Sequence, residues 1–194
     1  MTDGRAPVAR ALSSLERAFL IGVEGVTEVY LVRHGQADAD PAAGPDPGLS
    51  LSGRAQAQRL SRRLARHQPA AVISSPLCRA LETASLLSPE VRPDARLIEA
   101  RVEVRGQRLE QLEPAAEVVA RVDAALQDVV ATHRGGRIIV VSHGRAILNY
   151  LEHVLGLPPG GFRFFPQCAS VSLVRVQGDR SMIGPLGDVA HLEE

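Results

Sequence analysis

The chain has 194 residues, of which 45% are hydrophobic and 23% charged, and its 22 basic side chains balance 22 acidic ones. This length and composition favour one compact globular domain with a core of its own. Zero formal net charge removes the long-range attraction that a basic domain has for polyanions, so neither a nucleic acid nor an anionic membrane is the expected partner. The chain has no lysine, which excludes chemistry that depends on a lysine amine.

The sequence has no segment expected to enter a membrane, because no apolar run approaches the roughly 20 residues that a membrane-spanning helix requires. Glu16, Glu24 and Glu28 interrupt the N-terminal region where a secretory signal would need uninterrupted apolar residues. We therefore expect a cytoplasmic protein whose two cysteines, Cys78 and Cys168, are reduced thiols.

The first predicted elements are a short helix and a buried strand. Leu12, Leu15 and Phe19 have the spacing of a short amphipathic helix, within an N-terminal extension that spans residues 1–26. The apolar run over residues 28–32 is bounded by polar residues, which predicts a buried strand.

Helices and strands then alternate to the end of the chain. The sequence predicts a loop over residues 38–47, a helix over about 53–67 that Ser50 or Ser52 caps, a strand over 71–74, a helix with Pro76 in its first turn and a weaker strand over 96–100. It next predicts a loop with some helical turn over 102–114, a long helix from Pro114, a strand over 138–142, a helix marked by Ile147, Leu148, Leu151 and Leu155, and a half-buried strand over 170–176. Because strands alternate with helices, we predict an α/β fold with a mainly parallel central sheet and helices on both faces.

Three predicted strands are followed directly by residues that suit phosphate chemistry. Arg33 and His34 follow the first strand, Arg79 follows the second, and His143 follows the strand over 138–142. Ligands of open α/β sheets bind at the carboxyl ends of the strands, so we expect these side chains at one edge. Arginine presents a planar fork of donors that matches a phosphate, and the N-termini of the following helices add N–H groups.

The two histidines suit a transfer reaction. A neutral imidazole attacks phosphorus when its other nitrogen donates a hydrogen bond that fixes the tautomer, so attack by His34 would form a phosphohistidine. A protonated His143 would bind the equatorial oxygens as charge builds up. The sequence offers no acidic cluster built to hold a metal ion, so we expect neither a metal nor another cofactor.

Five segments resemble the histidine phosphatase superfamily, which includes the cofactor-dependent phosphoglycerate mutases. They are residues 31–36 (LVRHGQ), 49–53 (LSLSG) with 56–57 (QA), 74–80 (SSPLCRA) with 82–84 (ETA), 141–144 (VSHG), and 187–188 (GD) with 191–192 (HL). Their order and spacing agree with the family from about Val29 onward, and five segments in order are specific where one alone is weak. The resemblance implies a phosphate pocket of Arg33, His34, Arg79 and His143, with His34 as the nucleophile.

The resemblance also implies a general acid, usually a glutamate shortly after a leucine. Glu99, two residues after Leu97, matches that position. The chain departs from the family pattern after Ala100, so Glu103 is the alternative general acid.

Several other residues are candidates for contacts in or near the phosphate pocket. Gln36 and Arg145 are candidate substrate contacts, and an aspartate at Asp40 is expected to point away from a phosphate. Cys78 is expected to be a small packing residue, with a reactive thiol as the alternative. The three neighbouring phenylalanines are expected in the core, with a substrate wall as the alternative: Phe162, Phe164 and Phe165.

These features predict a metal-independent phosphomonoester hydrolase that acts on a small phosphorylated metabolite through a phosphohistidine on His34. One alternative is a phosphomutase of the phosphoglycerate mutase type, although those enzymes generally carry a longer insertion around the site. The other is a non-catalytic module that binds a phosphorylated ligand or a protein. The sequence does not fix the oligomeric state, and a homodimer stays open.

Overall fold

The computed structural model describes residues 13–106 and 108–193 and is built on a six-stranded sheet. The strands are β1 (Thr27–Arg33), β2 (Ala71–Ser74), β3 (Arg92–Pro93), β4 (Val102–Arg105), β5 (Arg108–Gln111), β6 (Arg137–Ser142), β7 (Val171–Gln177) and β8 (Arg180–Ile183). The helices are α1 (Leu51–Ala65), α2 (Cys78–Leu87), α3 (Ala115–Thr132) and α4 (Gly144–Val154), with 3-10 turns at Pro41–Ala43, Ala95–Leu97 and Ala190–Leu192. Residues 13–18 are also helical, and Leu12 of the predicted N-terminal helix lies outside the described residues.

The six strands lie in the order β3-β2-β6-β1-β7-β8. The first four are parallel to one another, whereas β7 runs antiparallel to β1 and β8 antiparallel to β7. The predicted mainly parallel α/β sheet is therefore confirmed. In this order β6 lies between β2 and β1, so the carboxyl ends of these three strands are neighbours.

Helices cover both faces of the sheet, as predicted, because the parallel strands are apolar on both sides. In β1, Val29 and Leu31 pack with α3 and α4, whereas Tyr30 and Val32 pack with α1 and α2. Each fully buried aliphatic side chain of such a core stabilises the fold by about 1.5–3 kcal/mol. No helix in the described part of the chain has both the length and the apolar character that spanning a bilayer would require.

Helix α1 begins two residues before the predicted start, after a cap supplied by Ser50. The Ser50 hydroxyl accepts the N–H of Gly53 at 3.0 Å, which satisfies one of the free donors of the first turn. The alternative cap, Ser52, lies inside the helix.

The predicted strand over residues 96–100 is wrong. Residues 95–97 form a 3-10 turn, and the Asp94 side chain caps it by accepting the N–H of Arg96 at 2.9 Å. The edge strand that pairs with β2 is β3, which lies earlier in the chain, at Arg92–Pro93. Local bonds from an aspartate to nearby backbone compete with sheet pairing, and here they turn the chain.

The predicted loop over residues 102–114 is also wrong, because β4 and β5 form an antiparallel hairpin separate from the main sheet. Glu103 lies opposite Glu110, and Arg105 forms ion pairs with both, at 2.8 and 3.2 Å. Val102 and Val104 alternate with Glu103 and Arg105, but the alternation spans only four residues and did not enter the prediction. Strand β8, also four residues long, is not predicted either. Leu155, expected to mark the helix after β6, follows the last residue of α4 and is 42% exposed.

Candidate active site

The carboxyl ends of β2, β6 and β1 bring three side chains to one edge of the sheet. Ser75 follows β2, His143 follows β6 and His34 follows β1. The parallel ladder extends into these residues, since the His34 N–H donates to the Ser142 carbonyl at 3.0 Å and the Ser75 N–H donates to the Val141 carbonyl at 2.9 Å. Backbone pairing therefore fixes the position of the main chain at the ends of these three strands.

His34 is held as a neutral imidazole whose Nε2 is unprotonated. Its Nδ1 lies 2.7 Å from the Gly35 carbonyl, which can only accept, so Nδ1 carries the proton. The Arg79 Nε donates to His34 Nε2 at 3.2 Å. Burial lowers the pKa of His34 to about 4, with the charges of Arg79 and Arg33 acting in the same direction and the Gly35 carbonyl opposing them. A neutral ring with Nε2 unprotonated is the form that can attack phosphorus.

His143 lies 5.0 Å from His34, centroid to centroid, and is fully buried. Its Nε2 is 2.7 Å from the Ser75 hydroxyl, and its buried Nδ1 has no hydrogen-bond partner in the described part of the chain. Burial, together with the charges of His34, Arg79 and Arg33, lowers the pKa of His143 to about 2. The neutral ring is therefore favoured until a nearby negative charge stabilises its protonated form.

Arg33 extends from the end of β1 beneath an aromatic ring. Its Nη1 donates to the Pro166 carbonyl at 2.7 Å, and its guanidinium carbon lies 4.9 Å from the centre of the Phe165 ring. Its buried Nε has no hydrogen-bond partner within residues 13–106 and 108–193. One donor of this fork thus holds the loop before β7, and another is left for a ligand.

Phe165 lies at the surface of the site, which corrects the expectation of core packing for this residue. The ring is 48% exposed and covers the start of α4, where a Cβ atom on Gly144 would stand 2.5 Å from the ring edge. A side chain larger than hydrogen at Gly144 would displace the ring. The other two phenylalanines stack on each other at 5.2 Å, and Phe164 packs against the core.

Arg79 connects His34 to an acidic loop residue that sequence reasoning missed. Its Nη1 is 3.4 Å from Asp46 Oδ1, while Asp46 Oδ2 accepts the N–H of Cys78 at 3.0 Å. Asp46 therefore takes one of the free donors at the start of α2, where a carboxylate interacts favourably with the helix dipole. Cys78 is exposed, contrary to the packing role expected, and its hydrogen bond to Asp46 raises the pKa of its thiol, which disfavours a reactive thiolate.

Thr83 of α2 fixes the backbone at His34 and Arg79. Its hydroxyl accepts the Gly35 N–H at 3.0 Å and donates to the Arg79 carbonyl at 2.7 Å. Gly35 also lies against α1, because a Cβ atom there would stand 2.6 Å from the Gly53 carbonyl oxygen. Glycine at this position allows the His34 loop to pack directly on the helix.

Glu99 lies at the first turn of α4, beside His143. Its two carboxylate oxygens accept the N–H groups of Arg145 at 3.3 Å, Ala146 at 3.0 Å and Ala100 at 2.9 Å. The carboxylate therefore caps the helix whose N-cap residue, His143, provides no side-chain cap of its own.

The remaining sequence-predicted residues make no side-chain hydrogen bond to His34, His143, Arg33 or Arg79 in the described part of the chain. Glu103, the alternative general acid, is paired with Arg105 in the β4–β5 hairpin at 2.8 Å. Gln36 is exposed, and Asp40 accepts the N–H of Ala42 within its own loop, as expected for a carboxylate that points away. The Arg145 side chain is held by the Gln111 amide oxygen of the hairpin at 2.8 and 3.0 Å.

Together, these contacts form a small positively charged cluster that we call the anion pocket: Arg33, His34, Arg79 and His143. It holds two guanidinium groups, one of which donates to His34 Nε2, and two buried nitrogen atoms, Arg33 Nε and His143 Nδ1, that have no hydrogen-bond partner among the described residues. Such an arrangement suits an oxyanion with several acceptor oxygens. Among the described residues, no group of three or more His, Cys, Asp or Glu side chains is arranged to hold a metal ion.

Sequence reasoning missed two contributors to the pocket, Ser75 and Asp46. Ser75 carried a signal, since it directly follows a buried strand in the same way as the histidines. Asp46 carried none, because it reaches the pocket from a loop whose path depends on tertiary contacts. The position of Phe165 at the surface of the site agrees with the alternative role given for the phenylalanines, a substrate wall.

Comparison with known proteins decides the family. The sequence model of the histidine phosphatase superfamily (branch 1) matches residues 29–108 and 103–188. The chain belongs to the histidine phosphatase superfamily. Within it, the chain is 30% identical over 212 residues to phosphoglycerate mutase-like protein 4 of Arabidopsis thaliana, with 86% of this chain and 87% of the relative covered.

Solved structures share the fold. The structure of phosphoserine phosphatase from Entamoeba histolytica with 3-phosphoglyceric acid has a TM-score of 0.74 at 19% identity and covers 86% of this chain and 99% of that one. YhfR of Bacillus stearothermophilus has a TM-score of 0.72 at 24% identity, with the same coverage of both chains. At these identities the similarity establishes the histidine phosphatase fold. The reaction has to be inferred from the residues of the site.

Proposed function

We propose that this protein is a metal-independent phosphatase that hydrolyses phosphomonoesters of small metabolites through a phosphohistidine on His34. The observation that carries the proposal is the buried, neutral His34, whose Nδ1 donates to the Gly35 carbonyl and whose Nε2 lone pair faces Arg79. In the first step Nε2 attacks phosphorus, and the ester P–O bond breaks. In the second step water attacks the phosphohistidine, and the N–P bond breaks to release inorganic phosphate and the neutral imidazole.

The anion pocket supplies the charge that both steps require. Arg33 and Arg79 bind the phosphoryl oxygens and stabilise the charge that spreads over them in the transition state. A bound dianion also favours the protonated form of His143, because a nearby opposite charge stabilises a charged ring. The buried, unpartnered Nδ1 of His143 supports a role as donor to the substrate.

Glu99 is the proposed general acid and base. Its proton would pass to the leaving alkoxide in the first step and be recovered from the attacking water in the second, which balances both steps. Its carboxylate lies at the start of α4, where it accepts the N–H of Ala146, and His143 is the N-cap residue of the same helix, which supports this role. The hairpin position of Glu103 favours it less.

A phosphomutase is the second candidate, favoured by the name of the Arabidopsis relative, phosphoglycerate mutase-like protein 4. It would share the first step and return the phosphoryl group to a bound organic acceptor instead of water. The names of similar structures, phosphoserine phosphatase and a mycobacterial glucosyl-3-phosphoglycerate phosphatase, favour hydrolysis.

Turnover of p-nitrophenyl phosphate in excess EDTA tests the proposal. We expect hydrolysis that His34→Ala reduces at least about a thousandfold, since loss of a covalent nucleophile has effects of this size or larger. His153→Ala is the matched control, because His153 is an exposed histidine of α4, and it should retain full activity. A phosphoenzyme that discharges only to a phosphorylated acceptor would indicate the mutase. The absence of both turnover and a phosphoenzyme would contradict both reactions and would favour the non-catalytic binding module.

A further inference from the structure

Arg121 of α3 uses its whole guanidinium group to hold the backbone next to Glu99. Its Nη1 donates to the carbonyls of Arg96 at 2.7 Å and Ile98 at 2.8 Å. Its Nε and Nη2 bind the two carboxylate oxygens of Glu113 at 2.8 and 3.1 Å. Both side chains are largely shielded, at 18% and 11% exposed, so solvent screens this ion pair only partly.

The partner of Arg121 holds the chain on the other side of Glu99. The second carboxylate oxygen of Glu113 accepts the N–H of Arg101 at 3.2 Å. The ion pair therefore fixes the backbone two residues after Glu99 as well as the carbonyl immediately before it. Ser142, which directly precedes His143, donates to the Leu97 carbonyl at 2.8 Å and adds a third anchor.

Residues 98–101, which we call the Glu99 segment, have no regular secondary structure. The main-chain groups of a strand would be held by a ladder. Here the Arg101 carbonyl accepts from the backbone of Leu112, whereas side chains bind the Ile98 carbonyl and the N–H of Arg101. The direction in which the Glu99 side chain leaves the backbone therefore depends on the Arg121–Glu113 pair. Neither residue makes a hydrogen bond to a side chain of the anion pocket in the contacts of the described residues.

We propose that Arg121, bridged to Glu113, is a positioning residue for the general acid, which sets the placement of the Glu99 carboxylate against the leaving group. This inference rests on the proposed function. It predicts a specific defect rather than a general one. A misplaced general acid slows departure of a poor leaving group such as an alkoxide, whereas p-nitrophenolate leaves without a proton and is affected little.

The test compares two substrates, p-nitrophenyl phosphate and glycerol 2-phosphate, in Arg121→Met. We expect kcat/KM on the alkyl ester to fall at least about tenfold more than kcat/KM on the aryl ester, because kcat/KM reports formation of the phosphoenzyme and small displacements of a catalytic group cost up to about a hundredfold in rate. Arg121→Lys should lie between wild type and Arg121→Met, since an ammonium keeps the charge but not the fork. Adding Arg121→Met to Glu99→Gln should cause little further loss on the alkyl ester, because the proton donor that Arg121 positions is already absent.

Arg96→Met is the matched control. Its side chain forms ion pairs with Asp94 and Asp128 in the same region, and its removal leaves the Arg121 bonds to the backbone in place. We expect equal, small effects on the two esters. If Arg121→Met does not fold, Glu113→Gln is measured in its place, with the same direction of change and a smaller size.

Two results would overturn the inference. One is an equal loss on both esters in the Arg121 and Glu113 variants, which would make the pair merely structural. The other is a loss on the alkyl ester that multiplies with that of Glu99→Gln. A wild-type protein with no His34-dependent turnover of p-nitrophenyl phosphate would instead refute the proposed function, so the two failures are distinguishable.

Discussion

The anion pocket and the Glu99 segment lie at the same edge of the sheet but are held in different ways. The pocket histidines follow β1 and β6, and the parallel ladder continues into His34. The Glu99 segment follows a 3-10 turn and depends on Arg121, Glu113 and Ser142. The comparison indicates that a substitution in the pocket affects every substrate, whereas a substitution around Glu99 affects substrates according to their leaving group.

The largest effect is expected from Arg79→Ala, which breaks the pocket. It removes the donor to His34 Nε2 and one of the two guanidinium groups that neutralise the phosphate. We expect kcat/KM to fall about 10²–10³-fold on aryl and alkyl esters alike, as for loss of a transition-state donor. Arg62→Ala, an exposed arginine of α1, serves as control and should behave as wild type. A loss confined to alkyl esters would contradict the comparison.

Glu99→Gln tests the second region of the comparison, the Glu99 segment. The amide oxygen can still accept an N–H at the start of α4, so we expect the fold to persist, but the proton donor is lost. We expect kcat/KM on glycerol 2-phosphate, which reports formation of the phosphoenzyme, to fall about 10²–10⁴-fold, with a much smaller change on p-nitrophenyl phosphate. Steady-state rates on both substrates, with thermal unfolding to verify folding, check this. Equal rates for the variant and wild type on the alkyl ester would rule out Glu99 as the acid.

The pocket also predicts how stability depends on pH. His34 and His143 have ordinary pKa values of 6.5, lowered in the fold to about 4 and about 2. Between pH 6.5 and about 4 the unfolded chain therefore binds more protons at these positions, so the free energy of unfolding decreases as pH falls, by up to about 1.4 kcal/mol per pH unit for each histidine. Urea unfolding from pH 7 to pH 4.5 measures this slope, and His143→Asn should reduce it. An unchanged slope in that variant would be inconsistent with a buried, neutral His143.

Phe165→Ala is expected to have the smallest effect. The ring lies over Arg33 at 4.9 Å, and an exposed cation–π contact contributes only about 0.5–1 kcal/mol. We therefore expect KM to rise a few-fold with kcat nearly unchanged. A large loss of kcat would mean that the ring orders the pocket rather than merely covering it.

The parts of the site that the sequence predicts are those that follow buried strands. The apolar run over residues 138–142 locates β6, and position alone then puts His143 at the sheet edge next to His34. This works because a ladder fixes a strand end regardless of distant side chains. The family resemblance adds the pairing of these residues with Arg79.

The parts that escaped prediction depend on charged side chains that act across the chain. The alternation in the β4–β5 hairpin is confined to the four residues of β4 and lies among charged neighbours, and Asp46 reaches Arg79 from a loop with no regular period. Arg121 reads as an exposed helical arginine in the sequence, and only the packing of α3 against the 3-10 turn reveals its contacts. The lowered pKa of His143 could not be predicted for a related reason, because burial of a side chain depends on tertiary packing.

The central claim is that His34 Nε2 becomes phosphorylated during turnover. Rapid acid-free quenching of the protein with a phosphomonoester, followed by mass spectrometry of its peptides, measures this directly. We predict a transient, acid-labile phosphoryl group on Nε2 of His34, absent from His34→Ala. Steady turnover without any phosphoenzyme, or a phosphoryl group on a different residue, would contradict the account.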